Sequence, residues 1–77
     1  MTREQSRAAR GWLDWTQEQL AAKANVSLST VRDFEKGRRE PIANNLTAMR
    51  VALETEGISF VDSGGASGIT YSKRKRR

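Results

Sequence analysis

Apolar residues recur at three- and four-residue spacing through the middle of the chain, a period that is typical of helices packed on a core. Thr16 and Ser27 can each accept a hydrogen bond from the free backbone N–H groups of a starting helix, and Gln19 follows Thr16 at capping-box spacing. We therefore predict two short helices joined by a tight turn within residues 16–37. The stripe predicted to be buried in this segment comprises Leu20, Ala21, Ala24, Val26, Val31 and Phe34.

A further helix is predicted before this pair, over Arg3 to Leu13. Thr2 and Gln5 have capping-box spacing, and Ala9 and Leu13 lie four residues apart on one face. Ser6 falls on the same inward face, where a larger apolar residue would pack better. We therefore expect this first helix to be thinly anchored.

The second half of the chain changes period from helix to strand. Pro41 lies at or just before a fourth helix that runs to about Glu54, and Gly57 stops it. Its predicted inward residues are Leu46, Met49, Val51 and Leu53. Alternation at Ile58 and Phe60, and again at Ile69 and Tyr71, predicts two short strands in a hairpin. Residues 63–68 would form its loop, which is longer than the tightest turns.

Composition limits the chemistry. The 77 residues, 36% of them hydrophobic, suit one small domain. We expect a main unit over residues 1–57, a hairpin extension over 58–72 and a basic disordered tail over 73–77. The absence of cysteine and histidine excludes disulfides, zinc fingers and histidine catalysis, and we expect no cofactor and no metal. No apolar run approaches the roughly 20 residues of a membrane span, and no secretion signal is recognisable, so a cytoplasmic protein is expected.

The net charge of +5 indicates a polyanionic partner, but the excess is confined to residues 73–77. The chain before them has nine basic and nine acidic residues. Any binding of nucleic acid by the folded part must therefore depend on local clustering. Such a cluster lies at the end of the second helix of the predicted pair, at Arg32, Lys36, Arg38 and Arg39.

Residues 16–37 resemble the helix-turn-helix of the Xre/Cro-like regulators, a family that includes the lambdoid phage repressors. The resemblance covers roughly Gln5 to Leu53 and includes Gln17, Ala21, Asn25-Val26-Ser27, Glu35-Lys36-Gly37, Arg38, Arg39 and Pro41. It implies an all-α, lambda repressor-like bundle of four to five short helices, to which the sequence adds the small C-terminal hairpin. It also implies that the third helix docks in the DNA major groove, usually in a homodimer on a palindromic operator.

The start of the third helix would approach base edges. Leu28 could contact a thymine methyl group or pack on the second helix, and Arg32 could reach guanine, a phosphate or a neighbouring side chain. The candidate base contacts are Ser27, Leu28, Ser29, Arg32 and Asp33.

Phosphate contacts are expected around these positions. Gln17 opens the second helix, where free N–H groups and the helix dipole favour an anion. The candidate phosphate contacts are Gln17, Lys36, Arg38, Arg39, Asn44 and Asn45. The basic tail could be an arm on DNA, a solubilising end or, in a eukaryotic protein, a nuclear import signal, and we favour the arm.

Two further groups have structural roles. Arg10 and Glu35 occupy inward faces, and the resemblance implies that they form a partly buried ion pair. Homodimerisation is inferred from symmetry, with a candidate dimer interface at Ile58, Phe60, Ile69 and Tyr71.

The leading interpretation is a small transcriptional regulator, Cro-like or a repressor, that binds double-stranded DNA and is encoded by a bacterium or phage. The alternative is a protein-interaction module, such as an antitoxin or adaptor with an exposed apolar hairpin. An enzyme has the least support, because no nucleophile is paired with a base and no carboxylate pair is poised.

Overall fold

Four helices and a two-stranded hairpin form the described part of the chain, residues 1–73, in a computed structural model. The helices are α1 (Arg3–Leu13), α2 (Gln17–Ala24), α3 (Leu28–Glu35) and α4 (Ala43–Thr55), and the strands are β1 (Ile58–Ser63) and β2 (Ala66–Tyr71). This confirms the predicted helical bundle with a small C-terminal hairpin. Residues 74–77, which hold most of the predicted tail, lie outside the described residues.

The helix starts follow the predicted caps. Thr2 and Thr16 each accept a hydrogen bond from the backbone N–H three residues later, and Gln5 and Gln19 complete the two capping boxes. Ser27 caps α3 by accepting from the Thr30 N–H at 3.1 Å. The helix starts are therefore specified by residues adjacent in sequence.

The core lies where the four helices and β1 meet. Leu20, Val31, Met49, Leu53 and Ile58 are buried there, each with at most 2% of its surface exposed. Burial of such side chains contributes about 1.5–3 kcal/mol each. The core therefore holds the helical pair against α4.

The predicted inward face of α4 is wrong at Val51, which is 50% exposed. Leu46, Met49 and Leu53 do face the core, with Leu46 partly buried. Val51 lies two residues from Met49 and Leu53, which places it about 200° around the helix from each. Its side chain therefore points away from the core.

The predicted hairpin is present, but its loop is shorter than predicted. β1 pairs antiparallel with β2, with Ile58 opposite Tyr71 and Ser63 opposite Ala66. This leaves a two-residue turn of Gly64 and Gly65, which have φ values of 61° and 78°. Positive φ at both positions is the requirement of a type I′ turn, which glycine meets without strain. The pairing thus incorporates residues that the sequence pattern assigned to the loop.

A buried glutamine attaches the hairpin to α1. The Gln5 side-chain nitrogen donates to the carbonyl oxygens of Val61 and Gly68, both at 2.9 Å, and these residues face each other across the hairpin. Its Oε1 accepts from the Thr2 N–H at 2.8 Å. Gln5 therefore connects the start of α1 to both strands, a role that its capping-box position did not predict.

Candidate nucleic-acid interface

The turn between α2 and α3 is closed by backbone hydrogen bonds and by one residue in the left-handed backbone conformation. Asn25 has φ 58°, a conformation that asparagine adopts more readily than most residues. The Val26 N–H donates to the Ala21 carbonyl at 3.0 Å. Behind the turn, Leu20, Ala21 and Ala24 of α2 belong to the same core cluster as Val31 and Phe34 of α3. The two helices therefore form one packed unit that leaves the opposite face of α3 in solvent.

Two of the five candidate base contacts lie fully on the outward face of α3. Ser29 and Arg32 are exposed; the Ser29 hydroxyl lies 3.1 Å from that of Ser27, whereas within residues 1–73 Arg32 has no ion-pair partner. Arg32 therefore keeps its guanidinium donors available for a ligand.

The other three candidates are partly engaged by the protein. The Ser27 hydroxyl accepts the α3 capping bond and lies 2.8 Å from the Thr30 hydroxyl. Leu28 is half-buried and packs against the core, and Asp33 is half-buried in a cleft beside Arg39. Contact of these residues with bases stays a prediction.

The candidate phosphate contacts flank α3 on both sides. Lys36, Arg38 and Arg39 are exposed at its C-terminal end, and Asn44, in the first turn of α4, is exposed while Asn45 is half-buried. At the start of α2, one hydrogen of the Gln17 amide already points inward, because its Nε2 donates to Glu35 at 3.0 Å. Contact of Gln17 with a phosphate stays a prediction. Its second amide hydrogen and the free N–H groups at the start of α2 would be the donors.

The Arg10–Glu35 ion pair is present and connects three helices. Arg10 Nη2 lies 2.7 Å from Glu35 Oε1 and Arg10 Nε lies 2.9 Å from Oε2, so the pair is bidentate. The Arg10 Nη1 donates to the Trp15 carbonyl at 2.9 Å, which holds the α1–α2 loop. The side chains are 18% and 1% exposed, respectively. The network therefore fixes the relative positions of α1, α2 and α3.

Ser6 completes this network and corrects the prediction of a thinly anchored α1. Its hydroxyl is fully buried and donates to Glu35 Oε2 at 2.5 Å. An apolar residue here would leave that carboxylate oxygen with one donor fewer. The small polar residue is thus part of the anchor of α1.

The pKa of Glu35 is lowered in the folded chain. Burial acts to raise the pKa, but hydrogen bonds from Arg10, Ser6 and Gln17, with the positive charge of Arg10, outweigh it. Glu35 is therefore held as the carboxylate, which makes its role structural.

Two arginines of α1 were missed as functional candidates from the sequence. The Arg7 Nη1 donates to the Glu35 carbonyl at 2.6 Å, and the Arg3 guanidinium lies over Gly37. Both groups therefore stand beside the basic residues that follow α3. The sequence did contain a signal for them, because Arg3, Arg7 and Arg10 are spaced by four and three residues and so share one helix face.

The candidate dimer residues of the hairpin are largely covered by the chain itself. Ile58 is 2% exposed, so the monomer leaves it no surface for a second copy, and its assignment to a dimer interface is corrected to the core. Phe60 and Ile69 are half-buried against the core. Tyr71 is 40% exposed, and its ring centroid lies 5.4 Å from that of Trp12. Tyr71 is therefore the most accessible of the four.

Within residues 1–73, no group of three or more acidic side chains is arranged to hold a metal ion. None of the helices in that range has the length and apolar character to cross a membrane.

The comparison with known families agrees with this geometry. A family model described as Helix-turn-helix matches residues 7–56, which include α2, the turn and α3. The chain belongs to this family, the Xre or lambda repressor-like helix-turn-helix regulators, whose members bind DNA. No curated protein matches the chain.

Proposed function

We propose that this protein is a sequence-specific transcriptional regulator that binds double-stranded DNA with α3 in the major groove. The observation that carries the proposal is the exposed Arg32, which has no ion-pair partner within residues 1–73 and lies beside Ser29 on a helix packed from behind by α2. A guanidinium in that position can donate two hydrogen bonds to the O6 and N7 of guanine. Exposed basic residues after α3 would hold the flanking phosphates. As a regulator encoded by a bacterium or phage, it would act in the cytoplasm.

The proposed binding unit is a homodimer on a palindromic site. The chain measures 33 Å and 32 Å along its two longer dimensions. Dimensions of this size are compatible with two copies side by side whose α3 helices lie about 34 Å apart, one turn of B-DNA. The exposed side chain of Tyr71, on the hairpin, is the surface that we propose for contact between the copies.

The test is selection of bound duplexes from a random DNA pool with the full chain. We expect an enriched palindrome whose half-sites are centred about 10 base pairs apart. A control duplex with one half-site should bind more weakly, and analytical ultracentrifugation should find two chains on the palindromic duplex. The absence of any enriched sequence would contradict sequence-specific binding.

A substitution at the reading surface should then change specificity. Arg32→Ala should weaken binding to the selected duplex by about 1–3 kcal/mol and relax the preference at one position of each half-site. Lys23→Ala is the matched control, because Lys23 is also exposed but lies over the Trp15 ring at the end of α2. Equal losses in both variants would contradict base reading by Arg32.

The alternative of a protein-interaction module has less support. It requires an exposed apolar patch at Ile58, Phe60, Ile69 and Tyr71. The first of these is in the core and the next two are half-buried against helices of the same chain. We do not propose catalysis, because the buried polar side chains bond to one another and hold the helices together.

A further inference from the structure

Five basic side chains from two distant parts of the sequence meet at the C-terminal end of α3. We name this surface the basic ridge; it comprises Arg3, Arg7, Lys36, Arg38 and Arg39. The Arg3 guanidinium lies over Gly37, in space that a Cβ at that position would occupy. Arg7 is placed by its 2.6 Å hydrogen bond to the last carbonyl of α3. The ridge is therefore built by tertiary contacts between α1 and α3.

Charge is unevenly divided between the ridge and the remaining surface. Three acidic side chains lie beside the five ridge residues: Glu4, whose Oε2 lies 3.3 Å from Arg3 Nε, Glu40, and Asp33, which lines a cleft with Arg39. The other residues up to Ser72 include four basic and six acidic side chains. The folded part is thus formally neutral as a whole but is positive at this ridge.

The position of the ridge suits a phosphate backbone. An eight-residue helix is about 12 Å long, so the ridge lies about that far from the start of α3. The major groove is about 12 Å wide, and phosphates line both of its borders. With the first turn of α3 in the groove, side chains at the ridge would come within reach of the border phosphates.

We propose that Arg3 and Arg7 of α1 bind phosphates of the DNA backbone and extend the contact surface beyond the helix-turn-helix. This inference rests on the proposed binding of duplex DNA, but not on sequence preference or dimerisation. Each contact releases counterions, so each arginine should add about 0.9 to the slope of log affinity against log salt. The ridge therefore adds affinity for any duplex.

The test measures binding of the full chain to a labelled random-sequence duplex between 50 and 200 mM KCl. Arg3→Gln with Arg7→Gln should lower the slope by about 1.8, so that this salt increase weakens the double variant about 12-fold less than the unmodified chain. For Arg3→Gln alone, the same salt increase should weaken binding about 3.5-fold less than it does for the unmodified chain. The single variant leaves the Arg7 bond to α3 intact, and circular dichroism should verify that each variant is folded.

The matched control is Arg50→Gln, because Arg50 is an exposed helical arginine that packs over Phe60 on the hairpin side of the molecule. Its slope should equal that of the unmodified chain. An equal fall in all variants would indicate a general effect of net charge and would overturn the proposal, as would an unchanged slope in folded Arg3→Gln.

These experiments distinguish failure of the proposed sequence-specific regulation from failure of the proposed phosphate contacts of the ridge. If the chain prefers no duplex but its slope falls in the ridge variants, sequence-specific regulation fails and the ridge stands. If a palindrome is selected but the ridge variants keep the slope of the unmodified chain, the ridge fails and the regulator stands.

Discussion

At the scale of single residues, burial of a carboxylate costs free energy unless its oxygens receive hydrogen bonds. Glu35 has 1% of its side chain exposed, and its donors come from Ser6 and Arg10 of α1 and Gln17 of α2. Each donor comes from a helix other than α3, which carries Glu35. The network therefore fixes where α3 stands relative to the rest of the molecule.

Replacing Arg10 with Met should remove the counter-charge and leave Glu35 buried and ionised. We expect the free energy of unfolding to fall by about 3–5 kcal/mol, measured by urea denaturation at pH 7. Arg50→Met is the control, because the Arg50–Glu54 pair is exposed and should contribute at most about 1 kcal/mol. A loss of similar size in both variants would show that the buried pair has no special role.

Stability should also fall in acid because of Glu35. Its pKa in the folded chain lies below the ordinary value of 4.5, so the unfolded chain takes up the proton first as pH falls. The stabilisation is complete above pH 4.5 and is lost as pH falls through the folded pKa. Urea denaturation of the unmodified chain between pH 6 and pH 3 should show this loss.

Glu35→Gln should be less stable at neutral pH and should have a flatter pH profile over that range. Glu4 is the comparison, since its own backbone N–H and Arg3 also lower its pKa, but in full solvent. Glu4→Gln should therefore lose nearly as much stability between pH 6 and pH 3 as the unmodified chain does. A profile of Glu35→Gln as steep as that of the unmodified chain would exclude Glu35 as the titrating group.

At the scale of elements, the hairpin depends on the helices, because an isolated two-stranded hairpin is marginally stable in water. Ile58 of β1 enters the core, and Gln5 of α1 donates to one carbonyl of each strand. The hairpin is therefore attached at one apolar and one polar point.

Gln5→Glu should loosen this attachment at pH 7, because a carboxylate of nearly the same shape cannot donate to the two carbonyls. We expect amide hydrogen exchange in β1 and β2 to accelerate, with about 1–3 kcal/mol of lost protection, while α2 and α3 change less. Gln19→Glu is the matched control, since Gln19 is exposed and a glutamate also suits a capping box. Unchanged exchange in the hairpin of Gln5→Glu would contradict the role of Gln5.

At the scale of the whole molecule, the net charge of +5 belongs to residues 73–77 and the folded part is neutral. The basic ridge and the basic tail are thus separate sources of attraction to a polyanion. In the structure, β2 ends at Tyr71 against Trp12, at the C-terminal end of α1, whereas Arg3 lies at its N-terminal end. The tail therefore starts about 13 Å along α1 from Arg3.

Removal of residues 73–77 should flatten the salt dependence of duplex binding, because fewer counterions are released. Combined with Arg3→Gln, the truncation should reduce the slope further, since the two groups act on different phosphates. Fluorescence anisotropy across a salt series measures both effects. A truncated chain with the slope of the full chain would show that the tail does not contact DNA.

Local chemistry in the sequence determined the start of each of the first three helices. Thr2, Thr16 and Ser27 each accept from an N–H group only three residues away, so no distant part of the chain is needed to place them. The change from helical to alternating spacing near Gly57 likewise predicted the hairpin. The helix-turn-helix and its outward face could therefore be recognised from the sequence.

Only the tertiary structure decided which residues meet across long separations. Packing of α1 on other elements brings Ser6 into a hydrogen bond with Glu35 and Gln5 into hydrogen bonds with the hairpin. It also places the Arg3 guanidinium over Gly37. Pairing of the strands, rather than their composition, reduced the predicted loop to two glycines. Spacing along a chain defines the face of a helix, but which partner covers that face depends on how the elements pack together.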